Sequence, residues 1–313
     1  MYKILSTVPI QSFPEVCEIL ESAGEVIYLD YPSYSDVMNI IDDVDGLFPN
    51  ARMKVDSILL KNAKKLKIIS MPAMGTDHID VEECKKRNIK LFSMSDSKDF
   101  MRGVSSTAEY TVGMILLLMK KYLSSSQSVL ERGEWKAADY RGYDINGKRV
   151  GIIGYGVVGS QVEKILLGFG ADVVKYDPYI EKYRTKNLVD LDTLLSTSDI
   201  ITCHIPLSPE TNGMINKECF DKMKGVYFIN ASRGEVIDDY DLMTAMESGN
   251  IRAAALDVLS GEAEGSIWKH PLVEYSKSNS NLFITPHCAG SSNDGLKRVF
   301  KHAAETLINN LEG

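Results

Sequence analysis

The sequence predicts an α/β protein that is built from two doubly wound parallel-sheet domains. Short apolar runs alternate with amphipathic helical patterns along the chain, which is typical of a parallel sheet covered by helices on both faces. The chain has 313 residues, more than one compact core usually contains, so two domains are expected. A glycine-rich turn near the middle of the chain opens a second series of strands and helices.

Five apolar runs in the first hundred residues are predicted strands, and the segments between them are predicted helices that mostly end in Gly, Asn or Lys. The strands are expected at 2–7, 26–30, 46–50, 66–71 and 89–94. A long helix follows. It is predicted to begin at a capping box, Ser106-Thr107-Ala108-Glu109, and to end near Gly133.

The second series continues to the C-terminus. Its later strands are predicted at 199–205, 225–232, 251–258 and 282–287, and a final helix follows residue 290. The expected division is a first domain of residues 1–99, completed by the C-terminal helix 289–313, and a second domain of residues 100–288. The chain would cross between them twice, with a cleft between the two.

Composition excludes several classes of function. A net charge of −8 and a pI near 5.3 argue against a nucleic-acid partner, because phosphate contacts need a basic face. The longest apolar stretch, 111–119, is too short to span a bilayer. The N-terminus has no apolar leader pattern. Neither a membrane nor a nucleic acid is therefore expected as a partner.

The five cysteines are scattered, and no pair has metal-ligand spacing. This pattern fits reduced thiols in a cytoplasmic protein better than a disulfide framework, and no metal is expected. Cys288 follows His287 directly, but neighbours on an extended strand point to opposite faces, which disfavours a Cys-His nucleophile pair.

The segment Gly154-Tyr155-Gly156-Val157-Val158-Gly159 matches the G-x-G-x-x-G pattern and lies between a predicted strand and a predicted helix. That context is what a Rossmann-type nucleotide domain requires. Gly154 allows the tight turn, Gly156 lets a pyrophosphate approach the backbone, and Gly159 lets the helix pack on the strand. The diphosphate is then expected at the positive end of the helix.

Asp177 ends the next predicted strand, eighteen residues after Gly159. A carboxylate there accepts hydrogen bonds from ribose hydroxyls and repels a 2′-phosphate, which favours NAD over NADP. Lys182 and Arg184 lie slightly further on and weaken this preference. The alternative is that Asp177 only caps a turn.

Three later strand ends carry polar residues that packing does not need, in the segments NASRGEVID, ALDVLSGEA and TPHCAG. Together with AMGTDHID, STAEYTVGMILLLMKK, GIIGYGVVG and HIPLSPETNGMIN, they resemble the D-isomer-specific 2-hydroxyacid dehydrogenases over nearly the whole chain. The resemblance implies a flavodoxin-like first domain that binds substrate. It also implies three catalytic residues, which in this chain are Arg233, Glu262 and His287.

The chemistry of these three residue types suits hydride transfer to a 2-oxo acid. Protonated His287 can give a proton to the carbonyl oxygen, and neutral His287 can take it back in the oxidation direction. Glu262 favours the charged imidazolium and is the expected pKa partner of the histidine. Arg233 can hold the substrate carboxylate and polarise the carbonyl. Taken singly, Arg233 could equally belong to a surface ion pair, and Glu262 could equally be a solvated residue of its Gly-rich loop.

The resemblance also implies cofactor contacts at His204, Pro206, Thr211, Ala231 and Asp257. Substrate contacts are expected from the backbone amides of a neutral loop and from nearby arginines. These residues are Met74, Gly75, Arg52 and Arg102.

The chain departs from the family pattern at two places. Ala263 replaces the usual proline after the catalytic glutamate, which leaves Glu264 as a second candidate carboxylate. The connection into the long helix, SDSKDFMRGVSSTAEY, is longer than usual, which leaves the identity of the substrate open. Because Arg52, Lys54 and Arg102 lie in or near the first domain, a dianionic substrate such as a phosphorylated or dicarboxylic hydroxy acid stays an alternative. His78 is expected to be structural.

The sequence thus predicts an NAD-dependent dehydrogenase of a D-2-hydroxy acid, which the resemblance suggests is a homodimer through the helix at 106–122 and its neighbourhood. Two rivals stay open: an NAD(H)-binding regulator with the same fold, and a phosphoglycerate-type dehydrogenase. Formate dehydrogenation is disfavoured, because that branch of the family replaces the glutamate beside the histidine.

Overall fold

The structure is a computed structural model that describes residues 1–181, 185–262 and 267–311. The chain divides into two compact units, Met1–Val104 with Ser292–Gly313, and Ser105–Ser291. Each unit contains one sheet in which the paired strands run parallel. The predicted fold class of two parallel α/β sheets is confirmed.

The described secondary structure alternates between strands and helices. The strands are β1 (Tyr2–Ser6), β2 (Gly24–Tyr28), β3 (Gly46–Phe48), β4 (Ile68–Met71), β5 (Lys90–Ser93), β6 (Arg149–Ile153), β7 (Asp172–Tyr176), β8 (Ile200–Cys203), β9 (Val226–Asn230), β10 (Ile251–Leu256) and β11 (Leu282–Ile284). The helices are α1 (Pro14–Glu21), α2 (Tyr34–Met38), α3 (Ser57–Asn62), α4 (Val81–Lys86), α5 (Lys98–Met101), α6 (Ser106–Met119), α7 (Tyr122–Arg132), α8 (Val157–Gly168), α9 (Leu191–Thr197), α10 (Lys217–Phe220), α11 (Asp239–Ser248), α12 (Pro271–Ser278) and α13 (Asn293–Leu311).

The first unit is built on the sheet β2-β1-β3-β4-β5. The C-terminal helix α13 belongs to this unit and packs on α1 and β4. The Ser70 hydroxyl in β4 donates to the carbonyl of Ala303 in α13 at 2.7 Å. A buried apolar cluster fills the layer between sheet and helix, with Ile4, Phe48, Ile68, Phe300 and Leu307 among its members. Residues from both ends of the chain therefore build one core.

The second unit is built on the sheet β11-β10-β9-β8-β6-β7. The strand order reverses at β6, which pairs with β7 on one side and β8 on the other. Residue pairs such as Ile153 with Tyr176 and with Cys203 bring the carboxyl ends of these strands level. A reversal of this kind is where open α/β sheets bind ligands.

The predicted long helix is in fact two helices. Lys121 adopts a left-handed conformation (φ 55°) and separates α6 from α7, and α7 ends at Gly133, also left-handed, as expected. The predicted capping box at Ser106 is wrong, because the N-cap residue is Ser105, whose hydroxyl donates to the Glu109 carboxylate at 2.5 Å. Of the helices described, α6 included, none has both the length and the apolar character needed to cross a membrane.

Candidate functional site

The predicted site residues of the second unit follow the carboxyl ends of its six strands. Because the strands are parallel, these ends meet at one edge of the sheet. In spatial order from β11 to β7, the residues just past each strand are His287, Asp257, Ala231, His204, Gly154 and Asp177. The sheet edge therefore has the acid-base and anchor candidates at one end and the nucleotide candidates at the other.

The three glycines of the turn after β6 have different surroundings. Gly154 has φ +88°, and a Cβ built on it would lie 2.5 Å from the carbonyl oxygen of His204. A Cβ on Gly159, in the first turn of α8, would lie 2.2 Å from the carbonyl oxygen of Gly154. A Cβ on Gly156 would meet no described atom within 4 Å. The backbone is thus packed behind the turn and open in front of Gly156, at the N-terminus of α8, as a bound pyrophosphate requires.

Asp177 lies just past β7 with its carboxylate turned toward the glycine turn. One oxygen accepts from the Tyr155 amide at 2.9 Å and the other from the Tyr179 amide at 2.9 Å. Each carboxylate oxygen has a further lone pair that can accept a ribose hydroxyl. Asp177 therefore orients the turn and also suits the adenosine end of NAD.

A buried polar network supports the same turn. The Tyr155 hydroxyl and the Lys175 ammonium both bind the carboxylate of Glu163 in α8. The Lys175 Nζ also lies 4.3 Å from the centre of the Tyr155 ring. Burial, followed by the bond to Glu163, raises the pKa of Tyr155 to about 12, so its hydroxyl stays a donor. The network links Tyr155, between the first two glycines of the turn, to Glu163 in α8 and to Lys175 in β7.

His204 lies directly after β8. Its backbone N–H donates to the carbonyl of Ile153 at 2.7 Å, and its Nε2 lies 3.0 Å from the Thr202 hydroxyl. Desolvation lowers the pKa of His204 to about 3, so this imidazole is neutral at pH 7. His204 is therefore suited to packing and hydrogen bonding and is not a source of protons.

Pro206 and Thr211 belong to one turn after His204. The Thr211 hydroxyl donates to the Pro206 carbonyl at 2.7 Å and accepts from the Ser208 amide at 2.8 Å. These bonds fix the loop that follows β8, next to the glycine turn in strand order. Thr211 thus stabilises the turn from Pro206 to Thr211 through its hydroxyl group. The expected contact of Thr211 with the cofactor stays a prediction.

His287 and Glu262 are in direct contact. His287 Nδ1 hydrogen-bonds to Glu262 Oε1, and both side chains are about a quarter to a third exposed, at 31% and 23%. The second carboxylate oxygen of Glu262 accepts from the Leu259 amide at 3.0 Å, which orients the carboxylate. A carboxylate on Nδ1 leaves Nε2 as the nitrogen that can face a reacting group.

The Asp257 side chain organises the turn that carries His287. Its carboxylate is buried and accepts from the Thr285 hydroxyl at 2.5 Å, from the Cys288 amide at 2.9 Å and from the Ala289 amide at 2.7 Å. The His287 amide donates to the Asp257 carbonyl at 2.7 Å. Asp257 thus binds the turn on both sides of His287, which has a left-handed backbone (φ 55°).

Ala231 and Arg233 lie in the loop after β9. The side-chain amide Nδ2 of Asn230 donates to the Arg233 carbonyl at 2.8 Å, and the Arg233 guanidinium donates to the Ser232 carbonyl at 2.9 Å. The Arg233 side chain is half-buried. A Cβ on the following residue, Gly234, would lie 2.0 Å from the backbone of Leu259, so this loop packs directly on the Glu262 loop.

The predicted substrate residues belong to the first unit. Met74 and Gly75 follow β4, and none of the described residues accepts a hydrogen bond from either amide. Arg52 is exposed in the loop after β3, beside β4 in the sheet, and its amide donates to Asn50 at 2.9 Å. Arg102 forms a surface ion pair with Asp99 at 2.7 Å. Arg52 lies in the loop directly after β3, which is next to β4 in the sheet, and the Met74 loop follows β4. Arg102 lies further along the chain, just after α5.

Some predictions concern residues that the structure does not describe. Glu264, the second candidate carboxylate, Ala263, and the basic pair Lys182 and Arg184 all lie outside the described residues. Within the described ranges, no group of three or more His, Cys, Asp or Glu side chains could hold a metal ion.

The structure brings together two clusters of polar side chains that are not predicted from the sequence. One is the Tyr155–Glu163–Lys175 network. The other joins Asp239, Ser260 and His270 beside the Glu262 loop. Lys175, a charged residue inside the apolar run that forms β7, was a visible signal for the first, and the structure buries it. The cluster of Asp239, Ser260 and His270 depends on contacts between segments that are distant in sequence, and no local sequence pattern predicts such contacts.

Comparison with known proteins identifies the family. The model of the NAD binding domain of D-isomer specific 2-hydroxyacid dehydrogenases matches residues 112–289. The chain belongs to this family, and its second unit contains the family's NAD binding domain.

Individual relatives have several named activities. The chain is 33% identical to a D-3-phosphoglycerate dehydrogenase of Archaeoglobus fulgidus over 99% of this chain and 58% of that protein. It is also 33% identical to a hydroxypyruvate reductase of Thermotoga maritima over 95% of both chains. Among solved structures, a D-lactate dehydrogenase of Aquifex aeolicus in complex with NAD and lactic acid matches with a TM-score of 0.85 and 29% identity, over 97% of this chain and 93% of that one. The chain spans little more than half the length of the phosphoglycerate dehydrogenases that it matches.

The different surroundings of Gly154 and Gly156 give a paired prediction. Gly154→Ala should lower the free energy of unfolding by at least about 2 kcal/mol, because the alanine would be strained at positive φ and its Cβ would press on backbone. Gly156→Ala should change it by about 0.5 kcal/mol or less and yet weaken NADH binding, since its methyl group enters the space for the pyrophosphate.

Denaturant unfolding without cofactor and fluorescence titration with NADH measure the two effects. Equal destabilisation by both substitutions, or unchanged NADH affinity in Gly156→Ala, would contradict this assignment of the glycines.

Proposed function

We propose that this chain is an NAD-dependent D-2-hydroxyacid dehydrogenase that reversibly reduces a 2-oxo acid at C2. The hydrogen bond between His287 and Glu262, at the sheet edge that also carries the glycine turn, is the observation that supports this most strongly. Family membership supports it independently. The first unit would bind the substrate and the second unit the cofactor.

His287 is proposed as the acid-base residue. Bound NADH supplies the hydride that reduces C2. Negative charge then develops on the carbonyl oxygen, and protonated His287 gives its Nε2 proton to that oxygen, which yields the hydroxyl group. Glu262 on Nδ1 favours the charged imidazolium and holds the ring in one orientation. In the oxidation direction the same nitrogen takes the proton back.

Arg233 is proposed as the substrate anchor. Its guanidinium is planar and permanently charged, so it can bind a carboxylate through two parallel hydrogen bonds and polarise the neighbouring carbonyl. The packing of the Gly234 backbone on Leu259 keeps the Arg233 loop beside the Glu262 loop. In the first unit, the amides of Met74 and Gly75 are proposed as donors to a substrate carboxylate.

Two classes of substrate fit these residues. A small monoanionic 2-oxo acid needs only Arg233 and the amides of the Met74 loop. A phosphorylated or dicarboxylic 2-oxo acid needs another cation, for which exposed Arg52 is the better placed of the two arginines. The resemblance to D-3-phosphoglycerate dehydrogenases favours a test of the dianionic class alongside the monoanionic one.

The rival from another class is an NAD(H)-binding regulator. A panel of 2-oxo acids with NADH separates the two: pyruvate, hydroxypyruvate and 3-phosphohydroxypyruvate sample the substrate classes above. Consumption of NADH with any of them supports the dehydrogenase. Tight NADH binding without any turnover supports the regulator.

We propose that the chain forms a homodimer through α7 and the segment that follows it. Several apolar residues of α6 are buried within the second unit, and Leu116, Leu117 and Leu118 are half-buried. The exposed large apolar side chains of this region belong to α7 and to the segment after it. Leu130 and Trp135 there are 81% and 89% exposed. Large apolar side chains clustered on a surface are typical of protein interfaces.

A cytoplasmic location is part of the same proposal. All five cysteines are free thiols, three of them buried. Thiols in this state suit a reducing compartment.

Substitution of the catalytic candidates separates their roles. His287→Gln should lower kcat by about a hundredfold to ten-thousandfold, because the proton donor is lost, and should leave the Kd of NADH within about twofold. Arg233→Ala should mainly raise KM for the 2-oxo acid, and Arg233→Lys should recover only part of that loss, since an ammonium lacks the planar two-donor geometry. Wild-type turnover in His287→Gln would show that the acid-base assignment is wrong.

The dimer is tested by substitution on its proposed surface. Leu130→Asp combined with Trp135→Glu should convert the dimer to a monomer in light scattering coupled to gel filtration, because charges would replace the apolar contact. Ile58→Asp is the matched control, since Ile58 is also exposed but belongs to the first unit. Monomeric wild-type protein, or a dimer that persists in the double variant, would contradict the proposal.

A further inference from the structure

Asp239, Ser260 and His270 form a hydrogen-bonded cluster beside the Glu262 loop. The Ser260 hydroxyl donates to Asp239 Oδ2 and lies 3.1 Å from His270 Nε2. His270 Nε2 also lies 3.2 Å from Asp239 Oδ2. The side chains of His270 and Asp239 are 10% and 14% exposed. Three polar side chains from three segments of the chain therefore provide hydrogen-bond partners for one another where little water can reach them.

The hydrogen bonds define the protonation of His270. Its Nδ1 accepts from the Leu272 amide at 3.3 Å and so caps the N-terminus of α12. An accepting Nδ1 means that the proton of the neutral ring is on Nε2, which then donates toward Asp239 and Ser260. The ring cannot take the serine proton in this state, so the cluster does not activate Ser260 as a nucleophile in the manner of a serine hydrolase.

The cluster holds both sides of the loop that contains Glu262. Ser260 lies two residues before Glu262, and His270 lies eight residues after it. Both bind Asp239, the first residue of α11. The Gly261 amide adds a bond to Glu235 Oε1 at 3.1 Å. The backbone next to Glu262 is therefore fastened to the segment that runs from Arg233 to α11.

Burial raises the pKa of the Asp239 carboxyl, and the hydrogen bond from Ser260 opposes that rise. The charged carboxylate at the start of α11 is also favoured by the positive end of the helix. Loss of the Ser260 hydroxyl would thus remove the tie to the Glu262 loop and leave Asp239 without one of its donors.

We propose that Asp239, Ser260 and His270 are positioning residues that hold Glu262 against His287. This rests on the proposed function, in which Glu262 favours the charged imidazolium. None of the three needs to touch the substrate, because each acts through the backbone of the Glu262 loop. A loosened loop would let the carboxylate move away from Nδ1, and the His287 ring would then lose its fixed orientation and its charge partner.

The test compares Ser260→Ala with variants that break the same contact elsewhere. Glu262→Gln removes the carboxylate directly. Ser260→Thr keeps the hydroxyl and is the conservative rescue. His270→Asn keeps a good helix cap for α12 but lacks the reach to bind both Ser260 and Asp239. Ser196→Ala is the matched control, because Ser196 is an exposed serine of α9 in the same unit.

Two readouts follow the contact between His287 and Glu262. One is kcat for 2-oxo acid reduction by NADH. The other, which needs no turnover, is the ¹H resonance of the His287 Nδ1 proton in NMR spectra, which a hydrogen bond to a carboxylate moves downfield. Glu262→Gln should lower kcat and move this resonance upfield. Ser260→Ala and His270→Asn should change both in the same direction by a smaller amount, with the Kd of NADH within about twofold of wild type.

The remaining variants separate positioning from general damage to the fold. Ser260→Thr and Ser196→Ala should keep the wild-type kcat and the wild-type resonance, and Ser260→Ala should add no further change in the Glu262→Gln background, because its effect passes through Glu262. If Glu262→Gln leaves kcat and the resonance unchanged, the proposed role of Glu262 fails and the inference fails with it. If Glu262→Gln changes them and Ser260→Ala does not, the positioning inference alone is overturned.

Discussion

The carboxylate of Asp257 fixes the geometry on which the candidate site depends. It is buried at the end of β10 and receives hydrogen bonds from Thr285, Cys288 and Ala289. A buried carboxylate is stable only when its oxygens are satisfied, so the turn after β11 must stay wrapped around it. That turn presents His287 from a left-handed backbone, a conformation that its surroundings must hold in place. The expected contact of Asp257 with the nicotinamide stays a prediction; its support of the His287 turn is observed.

A second constraint acts on the partner of His287. Glu262 is oriented by the Leu259 amide, and the adjoining backbone is fastened through Ser260 and Gly261 to the segment that begins at Arg233. The three catalytic candidates follow three different strands, β9, β10 and β11. A supporting layer of hydrogen bonds, made by Asp257, Asp239, Ser260 and Gly261, joins the segments that follow these strands. This layer explains how a proton donor, its carboxylate and an anion anchor can keep a constant spacing on loops, which are otherwise the mobile part of an α/β domain.

Much of this architecture could be predicted from the sequence, because its signals are local. The glycine turn, Asp177 after the following strand and the alternation of apolar runs are each visible within about twenty residues. The break between α6 and α7 was not visible, since lysine rarely adopts the left-handed conformation that Lys121 has. Residues 105–107 all carry hydroxyl groups, so each of them was a candidate N-cap residue for α6, and in the structure the N-cap residue is Ser105. The ties from Asp239 to Ser260 and His270 join residues 21 and 31 positions apart, and no local pattern encodes such contacts.

The reaction proposed for this sheet edge is the reduction of the carbonyl of a 2-oxo acid to a D-2-hydroxy acid at the expense of NADH. Chiral chromatography of the product from each 2-oxo acid, with NADH oxidation followed in the same sample, tests it most directly. One D-2-hydroxy acid is expected for each NADH oxidised, with at least one 2-oxo acid among pyruvate, hydroxypyruvate and 3-phosphohydroxypyruvate. Formation of the L isomer, or NADH that stays unoxidised with every 2-oxo acid, would contradict it.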